Sequence, residues 1–180
     1  YGKTLGLIGF GRIGKAMARR AAGFDMQVLY YEPRYKPENV AITNARYVSL
    51  DELLRESDFV SLHAYLSDSS RGMIGKDQLG MMKPSAILIN TGRGAMVDHV
   101  ALYDALKNHT ISAAALDVFD PEPIPSNHPL LSLSNAIITP HIASASTATR
   151  RQMAVMTIEN IMAGLEEKPI PYCANLHIYQ

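Results

Sequence analysis

The chain has 180 residues, enough for one well-buried core, and its 17 basic side chains balance 17 acidic ones that are scattered along its length. Nothing in that distribution favours nucleic acid or an anionic membrane, and no apolar stretch reaches bilayer length, so a small molecule is the expected partner. Hydrophobic residues make up 47% and charged ones 19%, as in a packed domain, and the single Cys173 can form neither an internal disulfide nor a cysteine zinc site, which fits a reducing cytoplasm and no metal.

In chain order, the apolar run Thr4-Leu5-Gly6-Leu7-Ile8 reads as a strand, residues 13–22 as an amphipathic helix and residues 26–31 as a second strand. Ser49 opens a helix before Leu53 and Leu54, with Glu52 at capping-box spacing. Further strands follow at residues 59–62, 86–89, 113–116 and 136–138, and Asp98 caps a helix that runs through Leu102 and Leu106. Most strands are apolar throughout, so they belong in a parallel sheet covered on both faces. A last amphipathic helix over residues 146–165 carries Met153, Met156, Ile158, Ile161 and Met162, its Met residues as core filling, with an apolar face expected to lose partners if it normally crosses to another domain. The expected architecture is α/β, a single Rossmann-type doubly wound parallel sheet over residues 1–145, with residues 146–180 as a C-terminal helix and tail.

In Gly9-Phe10-Gly11-Arg12-Ile13-Gly14, three glycines stand at dinucleotide spacing, directly after a strand and before a helix. The first permits a sharp turn, the second lets the backbone approach phosphate, and the third lets helix and strand pack closely. Arg12 and Ile13 open the helix whose free N–H groups would meet a pyrophosphate. Glu32, about 20 residues further on at the end of the second strand, suits the adenosine ribose hydroxyls and would repel a 2′-phosphate, which favours NAD over NADP. Arg34 and Lys36 follow closely and offer positive charge to such a phosphate, or simply a solvated loop.

Three later segments resemble the D-isomer-specific 2-hydroxyacid dehydrogenase family. They are Asn90-Thr91-Gly92-Arg93-Gly94 with Val97-Asp98, Leu116-Asp117-Val118-Phe119-Asp120-Pro121-Glu122-Pro123, and Thr139-Pro140-His141-Ile142-Ala143. Each follows a predicted strand, where open α/β sheets bind ligands. A His that titrates near ~6.5, a carboxylate that orients it and an always-charged Arg suit proton transfer at a hydroxyl carbon that gains or loses hydride.

The resemblance supplies the assignments. It implies His141 as acid/base, Glu122 as its partner and Arg93 as the group that binds the substrate carboxylate and polarises the carbonyl. It implies Thr91 on the cofactor side and Asp117 at the nicotinamide end. His63 matches a family segment along the cofactor cleft, and a cofactor-side and a purely structural role both fit it. The family usually has proline where Tyr65 stands.

The implied activity is hydride transfer between NAD(H) and a D-2-hydroxy acid or its 2-keto acid, in a homodimer. The chain begins at Tyr1 and enters a strand almost at once, as if excised from a longer enzyme whose substrate domain precedes it and to which the last helix returns. On that expectation it binds NAD with little turnover. An NAD(H)-sensing module like the corepressors built on this scaffold, or a phosphite or formate dehydrogenase, is the alternative; Glu122 argues against formate, where the family pairs His with glutamine.

Overall fold

Short apolar runs of four or five residues are too brief for helices and too apolar for exposed strands, and they pair side by side. The computed structural model describes residues 1–32 and 45–175. Its elements are β1 (Thr4–Ile8), α1 (Arg12–Ala21), β2 (Gln27–Tyr31), β3 (Ala45–Tyr47), α2 (Leu50–Glu56), β4 (Phe59–Leu62), α3 (Lys76–Met81), β5 (Ile87–Asn90), α4 (His99–Lys107), β6 (Ala113–Leu116), β7 (Ala136–Ile138) and α5 (Thr147–Leu165). By its contacts the chain divides into two compact units, Tyr1–His141 and Ile142–Gln180.

The first unit holds a seven-stranded sheet in the order β3-β2-β1-β4-β5-β6-β7, every neighbouring pair parallel. The order reverses at β1, so β1 and β4 flank the crevice where such sheets bind ligands. Alternation along the strands divides the core. Leu5, Leu7, Val28 and Tyr30 pack with Ala18 and Ala21 of α1. Ile8, Leu29, Val60, Leu62 and Leu88 pack on the opposite face with Leu53, Leu79, Leu102 and Leu106 of α2, α3 and α4. This is the doubly wound arrangement expected.

Coverage is less even than the apolar strands imply. In β5 and β6 the side chains of Ile87, Ile89, Ala113 and Ala115 are only half-buried, and Ile137 of β7 is 66% exposed. In this unit α1 packs against β1 and β2.

Both predicted helix caps form. Glu52 N–H donates to Ser49 Oγ at 3.2 Å, and Asp98 Oδ1 accepts from the N–H groups of Val100 and Ala101 at 2.9 and 3.1 Å. β3 and α3 are additional to the sequence expectation.

In the second unit α5 starts at the N-cap Ser146 and buries none of its residues. Met153, Ile158, Ile161 and Met162 are each more than half exposed, which corrects the expectation of core filling for the two Met residues and fits an apolar face without partners here. Apolar side chains are spread around the helix rather than gathered in one stripe, so no single face collects them. No helix among the described residues is long and apolar enough to cross a membrane.

Candidate active site

The expected functional residues lie just beyond the C-terminal ends of strands: Gly9 after β1, Glu32 after β2, His63 after β4, Thr91 and Arg93 after β5, Asp117 after β6 and His141 after β7. Glu122 follows in the loop from β6. One edge of the sheet therefore carries them all, because every strand runs the same way.

Gly9 has φ +98° and lies against the start of the β4 loop, where a Cβ would fall on the backbone of His63 and Ala64. At Gly14 a Cβ would fall on the Gly9 carbonyl, so this glycine lets α1 approach the turn. Gly11 differs: a Cβ there would meet nothing within 4 Å. It is the N-cap of α1 and provides no side-chain cap. Gly11, Arg12 and Ile13 line a cavity of about 720 Å³ together with His63, Tyr65, Thr91 and Arg93. Open space beside backbone, at a helix start without a side-chain cap, is what a pyrophosphate requires. The residues present thus fit a dinucleotide.

The turn is braced by parts that the glycine spacing does not reveal. Glu32 Oε2 accepts the Phe10 N–H at 3.1 Å. The Phe10 ring, buried, stacks on Tyr30 with centroids 3.9 Å apart. Glu32 also borders a second, smaller cavity with Ile8, Tyr65 and Ser69. Arg34 and Lys36 lie outside the described residues.

His63 Nε2 is 3.0 Å from the hydroxyl of Ser61, a buried residue of β4. Burial pushes the His63 ring below its ordinary pKa, which favours its neutral form. His63 thus lines the cavity and is also anchored structurally.

Asn90 fixes the segment that carries Arg93. Fully buried at the end of β5, its amide donates to the Arg93 carbonyl at 3.0 Å and its Oδ1 accepts the Gly92 N–H at 3.0 Å. An Asn side chain that accepts the N–H two residues on is the mark of such a turn, and Asn90-Thr91-Gly92 has that spacing. The Arg93 guanidinium, exposed, donates to the Gly92 carbonyl at 2.7 Å.

His141 and Glu122 meet across two loops, with Nδ1 3.0 Å from Oε2. The other carboxylate oxygen accepts the Phe119 N–H at 2.9 Å. These bonds hold the Glu122 carboxyl below its ordinary pKa. The His141 contact contributes most, then the Phe119 N–H and the nearby charges of His141 and Arg93. The Arg93 charge thus acts on the Glu122 carboxylate in the same direction. An ionised carboxylate only accepts, so Nδ1 carries the proton and Nε2 is the ring nitrogen that Glu122 leaves unengaged. Glu122 and His141 line an apolar cavity of about 350 Å³ with Phe119, Ile124, Ile138 and Thr139. Asp117 is buried, and its Oδ1 accepts from the Thr139 hydroxyl at 2.5 Å.

The other histidines do different work. His128 Nδ1 accepts the Leu130 N–H at 3.2 Å and closes a turn, while His99 meets Phe119 edge-on. His177 lies outside the described residues.

Comparison with known proteins agrees with this geometry. The chain is 53% identical over 163 residues to a glyoxylate reductase of Korarchaeum cryptofilum, covering 91% of this chain and 49% of that protein. It is 48% identical over 177 residues to glyoxylate/hydroxypyruvate reductase B of Shigella boydii, covering 98% and 55% respectively. A crystal structure of D-lactate dehydrogenase with NAD+ from Lactobacillus jensenii superposes with a TM-score of 0.86 at 36% identity, covering 96% of this chain and 55% of that one. The chain spans about half the length of the curated relatives it matches. The model of the family described as "D-isomer specific 2-hydroxyacid dehydrogenase, NAD binding domain" matches residues 1–143, from the first strand through the His141–Glu122 contact, and the chain belongs to that family.

Proposed function

We propose that this chain is the cofactor-holding half of an oxidoreductase that interconverts a small 2-keto acid and its D-2-hydroxy acid, with glyoxylate and hydroxypyruvate as the first substrates to test. The observation that carries the reading is the His141–Glu122 pair, with Nδ1 3.0 Å from Oε2, at the sheet edge that also holds the glycine turn. The names of the reductases of Korarchaeum cryptofilum and Shigella boydii support the choice of substrates.

Bound NADH supplies the hydride that reduces the substrate's carbonyl carbon. Arg93 holds the substrate carboxylate and draws electron density from the carbonyl oxygen. His141, protonated, gives its Nε2 proton to that oxygen as negative charge develops there, and ends neutral. Glu122 keeps the Nδ1 proton in place through both charge states. In the oxidative direction Nε2 takes the hydroxyl proton instead. Arg12, Ile13 and the glycines receive the pyrophosphate, Glu32 the adenosine ribose, and Thr91, His63 and Asp117 the nicotinamide side.

A homodimer and a cytoplasmic location belong to the same reading, as does a return of the segment after residue 145 toward a substrate-binding domain. Sedimentation as a monomer at high concentration overturns the dimer.

The test uses the whole protein. NADH consumption with glyoxylate or hydroxypyruvate is expected, and His141→Ala should reduce it by about 10²–10⁴-fold while NAD+ binding persists. Equal turnover by the variant removes His141 from the reaction and overturns the reading.

A further inference from the structure

The ends of β6 and β7 carry a contact that the proton transfer above does not require. Asp117 is 5% exposed, and its Oδ1 accepts from Thr139 Oγ1 at 2.5 Å. A buried carboxylate is costly unless donors surround it, and a hydroxyl this close is a strong, charge-assisted one. Thr139 is itself fixed at two further points. Its N–H donates to the Leu116 carbonyl at 2.9 Å, and its own carbonyl accepts the His141 N–H at 3.1 Å. That second bond closes a tight turn over Pro140, in which His141 has φ +54°. Thr139 therefore touches both the residue before Asp117 and the residue that presents the acid/base ring.

The sheet order decides which end of a dinucleotide Asp117 can reach. The glycine turn after β1 receives the pyrophosphate and Glu32 after β2 lies on the adenosine side. The second half of the molecule then crosses the switch point toward β4, β5, β6 and β7. Asp117, after β6, stands on that second side. The group there that suits a carboxylate acceptor is the N–H donor of a carboxamide.

We propose that Thr139 is a positioning residue for the nicotinamide half of the cofactor: its hydroxyl orients the Asp117 carboxylate toward the carboxamide, while its backbone carries the turn that presents His141. The proposal rests on the reading of this chain as a nicotinamide-cofactor domain. It makes the register between β6 and β7, Leu116 against Ile138, the feature that fixes the spacing between the hydride donor and the acid/base nitrogen.

The test is calorimetric binding of NAD+ and of ADP-ribose, which shares everything but the nicotinamide, to the wild-type chain, Thr139→Val and Thr139→Ser. Valine keeps the branched shape and removes the donor. Loss of one hydrogen bond to a charged group predicts about tenfold weaker NAD+ binding by Thr139→Val, with ADP-ribose unchanged. Thr139→Ser, which keeps the hydroxyl, should restore NAD+ affinity. Unchanged NAD+ affinity in Thr139→Val overturns the proposal, and so does equal loss of both ligands, which marks a merely structural role. A wild-type chain that binds ADP-ribose but gains nothing from the nicotinamide also overturns it, and one that binds neither ligand overturns the functional reading beneath it.

Discussion

Glu122 is gripped at both carboxylate oxygens: Oε2 lies 3.0 Å from His141 Nδ1, and Oε1 accepts the Phe119 N–H at 2.9 Å. The carboxylate can neither rotate away nor exchange oxygens without breaking a bond. It therefore fixes the direction of the imidazole as well as its charge.

This arrangement predicts a pH signature. The Glu122 carboxyl is held below its ordinary pKa, chiefly by the His141 contact. The counter-charge for a protonated ring is therefore present throughout the range above the usual carboxylate pKa and is lost only as pH falls below it. Glu122→Gln removes that charge, which disfavours the protonated ring that reduction needs. In the whole protein, keto-acid reduction by the variant should fall by about 10–100-fold near neutral pH and recover in part at lower pH. A pH–rate profile of the same shape as wild type sinks the assignment of Glu122.

The first two glycines of the turn should fail in different ways. Gly9→Ala meets the His63 and Ala64 backbone and must hold φ +98°, so it should cost about 1–3 kcal/mol from strain alone. Gly11→Ala meets no atom within 4 Å. Its melting temperature should match wild type while NAD+ affinity drops, because the added methyl occupies the approach to the backbone. Thermal denaturation beside calorimetry separates the two; equal melting temperatures for both variants would contradict the account of Gly9.

The glycine spacing, the caps at Ser49 and Asp98 and most strands were legible because each depends on residues close in sequence. β3, with three residues, and α3, with six, are too short for periodicity to register. α5 was legible as a helix whose apolar face loses partners here, but the placing of its Met residues in a core was not, since apolar content alone does not say whether a partner face exists. His141 and Glu122 were recognisable through the family pattern, but the bond from Thr139 to Asp117 spans 22 residues and follows from strand register. Asn90 and Phe10 stood inside quoted motifs without a role, because their work is to brace neighbours rather than to meet a ligand.

Asp58 should contribute acid sensitivity to the fold, away from the site. Its Oδ2 accepts the Thr4 N–H at 2.9 Å and its Oδ1 lies 3.2 Å from Lys83 Nζ, tying the start of β1 to the approach to β5. The Thr4 N–H, more than Lys83, holds the carboxyl below its ordinary value, against the opposing effect of burial. A depressed folded-state pKa contributes stability that is present above the unfolded value and lost as pH falls through the folded one. Asp58→Asn should therefore destabilise the chain by about 1 kcal/mol near neutral pH, with the gap closing in acid. Urea midpoints measured from neutral pH downward check this; a gap that is constant with pH excludes the mechanism.

Cofactor choice tests the last relationship, between Glu32 and the glycine turn. Glu32 Oε2 accepts the Phe10 N–H at 3.1 Å, so the carboxylate that would meet the ribose also braces the loop. Truncating it would confuse the two roles. Glu32→Gln keeps an acceptor for Phe10 and removes the negative charge that a 2′-phosphate would meet. At an effective dielectric near ~20 to ~80 and a few ångströms' separation, that charge opposes the phosphate by about 1–4 kcal/mol. Binding of NADP+ relative to NAD+ should then rise by about tenfold or more, with the melting temperature unchanged. A ratio that does not move would mean that Glu32 serves the turn alone and that selection against the phosphate lies with other residues.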